Sequence, residues 1–473
     1  MRLAIWGMGK QGRTILGLML LYPNADYEVA CCFDQNVHAL EGDSFADGIA
    51  FYSPDRIEEL YHRNQFDSVV IGAYKKEIRQ AMAHQLNEWG IPTLEWSLIG
   101  KGMIAPVGHM SESTAPFLPF LLDGESLDLI KARYHMNMSK DEEPFMRVLA
   151  AHLNLRAYWM GDLYNPMKRC GAKRVILFGG GQDGALNLNA LVLCGTPVAA
   201  CCSLFQERRD WSWPKAVKVI PPEEILDSKY ADCIVVISTH EDRDEVLDWL
   251  NARSFPEERI VDPWNGYRSL LIGFRPGQYF DVWKPRNNEV FVDCGAYDGQ
   301  TLQEFEKWCS GSYEAIHALE PLPDTQDELR RKSLELHDVA IHCVAAWERD
   351  EMLSFSLDGA GSRVSSFNRA EVEVQGAALD NLISGRVSFI KMDIEGSELA
   401  AINGAQHLIQ KWKPRLAISI YHEKEDLLTI PTRILELVPE YRFRIRHYSA
   451  GLYETILYAT VSQDDWLLAE MEQ

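Results

Sequence analysis

No two of the chain's ten cysteines stand in the Cys-x-x-Cys spacing of zinc ribbons and thiol–disulfide enzymes. Two adjacent pairs, Cys31-Cys32 and Cys201-Cys202, lie in apolar runs, which suits buried thiols in a reducing cytoplasm rather than a disulfide framework or a zinc site. Positive charge is also scarce: 47 Lys and Arg against 69 Asp and Glu leave a formal net charge of -22. Such a surface repels a phosphate backbone, so no nucleic-acid partner is expected. Residues 184–206 carry no charge, but Asn187, Asn189, Gly195 and Pro197 divide them into helix, turn and strand, so no membrane span is expected. The opening MRLAIWGMG has no basic segment followed by an apolar run and cleavage site, and a cytoplasmic location is expected.

The 473 residues are enough for about three domains. Two stretches carry the GxGxxG spacing, GMGKQG at 7–12 and GGGQDG at 179–184. Their glycines pair at one offset, 179−7, 181−9 and 184−12 all being 172. EVACCFD at 28–34 is echoed by PVAACCS at 197–203, and FDSVVIGAYKKEI by ADCIVVISTHEDR. Each copy alternates strand, glycine turn and helix, the pattern of a parallel sheet. Two small Rossmann-like copies are therefore expected, at 1–104 and 172–265. Residues 105–171 read as a helical linker packing the copies together, and 266–281 as a connector. In the first copy Gly7, Gly9 and Gly12 can cradle a pyrophosphate or simply allow close packing, with Asp34 placed as a ribose-binding carboxylate. The second copy has Ser203 or Leu204 at the equivalent position, which favours packing without a ligand.

From 282 to 473 the strand–helix alternation resumes and closes with two strands, YRFRIRHYS and ETILYATV, whose short connection makes them antiparallel. In an open parallel sheet, ligands collect at the carboxyl ends of the strands. The first strand ends in FVDCGAYDGQT, with Asp293, Gly295, Tyr297 and Gly299, and the second ends at Glu320, placed to bind a ribose. A pyrophosphate disfavours an anion at the turn, whereas a cofactor with an amino group and a sulfonium suits Asp293. S-adenosylmethionine answers that description.

The blocks VFVDCGAYDGQT, ALEP, VSFIKMDIEGSELAAINGA, LAISIYHEKEDL and ETILYA, in this order, resemble the FkbM family of S-adenosylmethionine-dependent methyltransferases. The resemblance implies a class I methyltransferase fold, making the whole chain α/β with three doubly wound domains. It also implies that Asp293, Gly295 and Tyr297 line the methionine and ribose side, Glu320 the ribose, and Asp393 the floor. The duplicated copies resemble modules of bacterial polysaccharide and nucleotide-sugar enzymes. By that association the expected acceptor is a hydroxyl of a sugar or glycan precursor, with a second copy of the chain or a biosynthetic enzyme as possible partner.

Methyl transfer to oxygen asks for a base near the acceptor. His422 follows the strand LAISIY and precedes Glu423, Glu425 and Asp426, any of which can orient it. Glu395 reads as a second site group, and Glu398 as a favourable charge at a helix start. A metal held by Asp393, Glu395 and His422 is chemically admissible, but without fixed spacing no metal is expected. Arg442, Arg444 and Arg446 alternate onto one strand face, a solvated surface or, for Arg444 and Arg446, an anion site for the acceptor. The polar stretch 359–366 reads as a loop at the acceptor. Two rivals remain. One is an NAD-dependent nucleotide-sugar oxidoreductase in the N-terminal half, whose YxxxK pair, Tyr164 and Lys168, is interrupted by the helix-disfavouring Pro166. The other is a nucleotide-sugar-binding scaffold.

Overall fold

The computed structural model describes residues 1–21, 27–38, 48–73, 75–94, 115–139, 142–152, 160–193, 195–205, 217–239, 242–262, 277–358, 361–364, 372–449 and 451–467. The chain forms two compact units, the first mainly from Met1–Pro106 and Ser139–Arg275, the second from Val107–Met138, Pro276–Tyr448 and Leu452–Gln473.

The first unit holds two parallel sheets. Strands β1 (Arg2–Trp6), β2 (Glu28–Phe33), β3 (Ala50–Tyr52), β4 (Ser68–Ile71) and β5 (Thr93–Leu94) run in the order β3-β2-β1-β4-β5. Strands β6 (Arg174–Phe178), β7 (Val198–Cys202), β8 (Cys233–Ile237) and β9 (Ile260–Val261) run β7-β6-β8-β9. The 172-residue offset is also that of β6 from β1 and of the helix Gln182–Leu193 from Lys10–Leu21. A register shift recurs at matching places, Leu3/Ala4 and Val175/Ile176. The Gly7 amide donates to the Phe33 carbonyl and the Gly179 amide to that of Cys202, each at 2.8 Å, so the counterpart of Asp34 is Ser203 and not Leu204. A side chain at Gly12 would put its Cβ 2.0 Å from the Gly7 carbonyl oxygen, so this glycine serves packing of helix on turn. Seven of the nine described cysteines are buried, in keeping with unreactive core thiols.

Two expectations change in this region. The helix Met160–Cys170 runs straight through Pro166. Proline forfeits one backbone hydrogen bond there, and the buried Leu163 and Met167 on the same helix hold it in place regardless. The residues read as a linker between the copies also divide. Helices Glu143–His152 and Met160–Cys170 belong to the first unit, while Gly124–Ser139 lies almost wholly in the second.

The second unit is organised by a seven-stranded sheet. Its strands are β10 (Glu289–Cys294), β11 (Tyr313–Leu319), β12 (Val339–His342), β17 (Phe389–Met392), β18 (Arg415–Ser419), β19 (Arg442–His447) and β20 (Thr455–Thr460). The order is β12-β11-β10-β17-β18-β20-β19, with only β20 antiparallel to its neighbours. Between β12 and β17 the chain forms a separate sheet from β13 (Ala345–Ala346), β14 (Glu351–Asp358), β15 (Gly361–Val364) and β16 (Val372–Ala377). Thus 361–364, expected as loop, pair with β14, while 359, 360, 365 and 366 lie outside the described residues. Phe280, Trp283, Phe291, Phe305, Phe389 and Tyr458 interlock as the core of the large sheet, each aromatic burying on the order of 150–250 Å².

Two arginines of β19 are taken up by carboxylates of a neighbouring segment. Arg446 pairs with Asp123 at 2.7 Å and Glu125 at 3.3 Å, and Arg444 pairs with Asp123 at 3.2 Å while lying over the Trp466 ring. The segment before the helix Gly124–Ser139 runs beside β19, where the Leu122 amide donates to the Phe443 carbonyl, and this brings the acidic partners in. Among the described residues no helix is long and apolar enough to cross a membrane.

Burial would raise the Asp123 carboxyl, but Arg446 and Ser126 outweigh it and hold the pKa down at about 2. A carboxyl depressed in the fold contributes stability that is full above its unfolded pKa and lost as pH falls through the folded one. Asp123→Asn is therefore expected to cost about 2 kcal/mol at pH 7, with the gap from wild type closing between pH 4 and 2. Urea unfolding followed by tryptophan fluorescence across that range measures it; a gap independent of pH would remove the charge from the account.

Candidate active site

Strand order in the large sheet reverses between β10 and β17, so the crevice for a ligand opens at their carboxyl ends. Asp293, Glu320, Asp393 and His422 end or follow β10, β11, β17 and β18, and the topology gathers all four there.

Asp293 does not act as expected. Its side chain is fully buried, and Lys391 of β17 meets it at 2.9 Å. The same ammonium donates to the Gly295 carbonyl at 2.8 Å. Burial raises the Asp293 carboxyl, and against burial the charges of Asp293 and Asp393 raise the Lys391 ammonium, so the proton stays on the lysine. The pair stands behind the turn, whose Gly295 has φ +80° and would set a Cβ 2.1 Å from the Asp393 carbonyl oxygen.

Glu320 is nearly buried, and one oxygen accepts the Tyr297 amide at 3.1 Å while the other accepts the Leu322 amide at 2.9 Å. Each carboxylate oxygen keeps capacity for a further donor. Tyr297 itself is 65% exposed beside the turn, and Gly299, at φ +83°, opens the helix Gln300–Trp308.

His422 is partly buried, its side chain 9% exposed, and ringed by carboxylates. Its Nδ1 lies 2.9 Å from Glu398, and Nε2 lies 3.4 Å from Glu395 and 3.6 Å from Asp393. Burial would lower the imidazole, but Glu398, Asp393 and Glu395 together raise it to about 9. It is a cation at neutral pH, which is the wrong state for a base. The orienting group is Glu398, not Glu423, Glu425 or Asp426. Glu398 also accepts the Ile394 and Gly396 amides, so it caps the turn as well as holding the histidine. Donor atoms of Asp393, Glu398 and His422 lie within 4.8 Å of one another, close enough to hold a metal, yet the amides and the imidazole already satisfy Glu398.

Sequence reading missed Lys391 and, with it, Gln278, Tyr279, Tyr421 and Glu454. Tyr279, from the expected connector, donates its hydroxyl to Asp393 at 2.6 Å. The Tyr421 hydroxyl lies 3.3 Å from Asp393 and 3.4 Å from Glu454, and Gln278 donates to the other oxygen of Glu454. Lys391, His422 and Tyr279 outweigh burial and hold Asp393 below the usual carboxylate range, whereas burial and Asp393 push Glu454 up to about 7. The signal available in sequence was slight: KMD at a strand end for Lys391, and an acidic residue opening the last strand for Glu454. Backbone strain marks the same place. Tyr279, Tyr297, Glu395 and Glu454 all have positive φ, from +46° to +72°.

In the first unit, Asp34 accepts the Met8 amide at 2.6 Å and the Asn36 amide at 2.9 Å, using one of the amides a pyrophosphate would need. Gly9 differs from Gly12 in that a Cβ there would meet nothing within 4 Å.

The second unit is thus a mixed α/β fold, with a mostly parallel seven-stranded sheet whose strand ends gather acids around a glycine turn. Residues 293–445 match the family model of the methyltransferase FkbM domain. Among solved structures, the methyltransferase FkbM from Methylobacillus flagellatus KT is similar at 19% identity over 97% of this chain and 89% of that one, with a TM-score of 0.36. The precorrin-6y C5,15-methyltransferase from Geobacter metallireducens GS-15 is similar at 16% identity over 38% and 84%, with a TM-score of 0.25. Fibrillarin from Aeropyrum pernix, solved with natively bound S-adenosyl-L-methionine, is similar at 10% identity over 37% and 67%, with a TM-score of 0.25. Comparison with curated proteins found no match.

Removing one partner of a buried ion pair leaves the other charge uncompensated, at a cost of about 3–5 kcal/mol. Lys391→Met should lower stability by about that amount, and adding Asp293→Asn should recover most of it. Urea denaturation of the two variants decides; a harmless single variant would refute the pairing.

Proposed function

We propose that the second unit transfers a methyl group from S-adenosylmethionine to a hydroxyl of a sugar or glycan precursor. The observation that carries the reading is Glu320 at the end of β11, fixed by two turn amides yet with lone pairs to spare, one strand from the Gly295 turn. Those residues fit the donor: Glu320 would hold the ribose hydroxyls, with Gly295, Tyr297 and Gly299 along the methionine and ribose side and Asp393 beneath. When bound, the donor supplies a methyl group on a positively charged sulfur. Asp293, Asp393, Glu395 and Glu398 outnumber the two cations among them, Lys391 and His422, so the wall favours a positive ligand. Glu395 projects at 40% exposure and remains a group that can meet the acceptor. His422, fixed by Glu398 and charged, orders the carboxylates around it. A sugar acceptor rests on the association of FkbM domains with polysaccharide enzymes, and the acidic chain favours it over nucleic acid.

Calorimetry on the full chain tests the reading. S-adenosylmethionine and S-adenosylhomocysteine should bind, NAD should not compete, and Glu320→Ala should weaken S-adenosylhomocysteine binding at least tenfold with the unfolding midpoint unchanged. Label from [methyl-³H]S-adenosylmethionine should then appear in one of a set of uridine-diphosphate sugars. NAD displacing S-adenosylhomocysteine would end the proposal in favour of the oxidoreductase.

A further inference from the structure

The cluster formed by Asp393, Tyr421 and Glu454 holds two carboxylates in opposite states. Asp393 takes the Tyr279 hydroxyl at 2.6 Å and faces Lys391 and His422, so its negative charge is well compensated. Glu454 stands on the far side of the Tyr421 hydroxyl, which lies 3.4 Å from it, with the Gln278 amide on its other oxygen. Both phenols are pushed upward by burial and the neighbouring carboxylates, so they stay protonated and can donate to these acids while the acids are ionised. The charged groups facing Glu454 are therefore Asp393 from β17 and His422 after β18, one repelling its negative charge and one attracting it.

The fold brings Glu454 to this point by its one reversal of direction. Because β20 runs against the other strands, the loop leading into it sits at the same edge of the sheet as the carboxyl ends of β10, β17 and β18. Glu454 is the last residue of that loop, held at φ +68°, and Tyr279 opposite is held at φ +72°. Non-glycine residues avoid this conformation, and those that hold it cluster where function fixes a side chain.

We infer that Glu454 is a catalytic residue, the base that takes the acceptor's hydroxyl proton, with Tyr421 and Gln278 as its positioning residues. The inference rests on the methyl-transfer reading. The acceptor proton passes to a Glu454 oxygen as the acceptor oxygen bonds to the methyl carbon, while the methyl–sulfur bond breaks and its electron pair stays on sulfur, cancelling the sulfonium charge. Pairs of acids whose surroundings push them apart, one ionised and one able to exchange a proton near neutrality, are the arrangement acid–base chemistry requires.

Glu454→Gln preserves shape and the contacts of a neutral carboxyl while removing the proton-accepting oxygen. Two measurements on the full chain test the role. The first needs no acceptor and is run in an Asp426→Asn background, because burial raises that carboxyl to about 7 as well: infrared difference spectra between pH 6 and pH 8 should show a protonated carboxyl band lost with rising pH, and adding Glu454→Gln should remove it. A band that persists after Glu454→Gln is added, or none before it, overturns the inference. The second uses the uridine-diphosphate sugar that accepts label: Glu454→Gln should lower kcat at least 100-fold and lose the rise of rate with pH, with S-adenosylhomocysteine affinity within threefold of wild type. Glu454→Asp should restore part of the rate. Turnover within threefold of wild type in Glu454→Gln overturns the role, and an equal loss of S-adenosylhomocysteine affinity replaces it with a structural one. If the wild type binds S-adenosylhomocysteine but labels no sugar, the acceptor assignment fails, and the infrared result alone then decides whether Glu454 exchanges a proton in this site.

Discussion

The buried pair of Asp293 and Lys391 is the contact on which the candidate site depends. It joins β10 to β17 at the point where strand order reverses, and the same ammonium holds the Gly295 carbonyl, so one lysine fixes the turn and its supporting strand together. A sheet supplies hydrogen bonds along the strands but nothing to orient the loops beyond their ends. Here a charge pair inside the protein does so, shielded from water and therefore from screening by salt. A second buried pair, Glu289 with Arg415, stands at the opposite ends of β10 and β18, where Arg415 lies against Trp283, Trp308 and Phe389. Aromatic rings surround Arg415 at that end, which reads as stability, while the other end collects acids.

With Asp293 neutralised, the sign of the crevice is set by groups nearer its opening. Asp393, Glu395, Glu398 and Glu454 crowd one imidazolium, and each stays where it is because a neighbour answers part of its charge. Crowded carboxylates cannot all be equally ionised at one pH, so their environments divide the roles among them. Asp393, held low by Lys391 and His422, is the fixed charge, and Glu454, raised by burial and by Asp393, is an adjustable one.

The first unit uses the same local grammar to another end. Its helices after β1 and β6 meet where a Cβ on Gly17 would fall 2.8 Å from Val192, and the side chains of Arg13 and Thr14 donate to the Gly195 and Leu193 carbonyls. Glycines spaced as in a dinucleotide turn therefore serve two purposes. Gly12 lets helix and turn touch, whereas Gly9 borders open space.

Alternation of strand, turn and helix, the 172-residue repeat and the strand-end positions of Asp293, Glu320 and Asp393 were all legible in the sequence, because periodicity and glycine conformation are local properties of the chain. Charge state and partnership were not. Lys391 cancels Asp293, Asp123 takes up Arg444 and Arg446, Glu398 and its neighbours keep His422 protonated, and Tyr279 and Glu454 arrive from segments far along the chain. Each of these was decided by tertiary structure alone, since the energy of an ionised group depends on what stands within a few ångströms in space, and neither spacing nor composition records that distance.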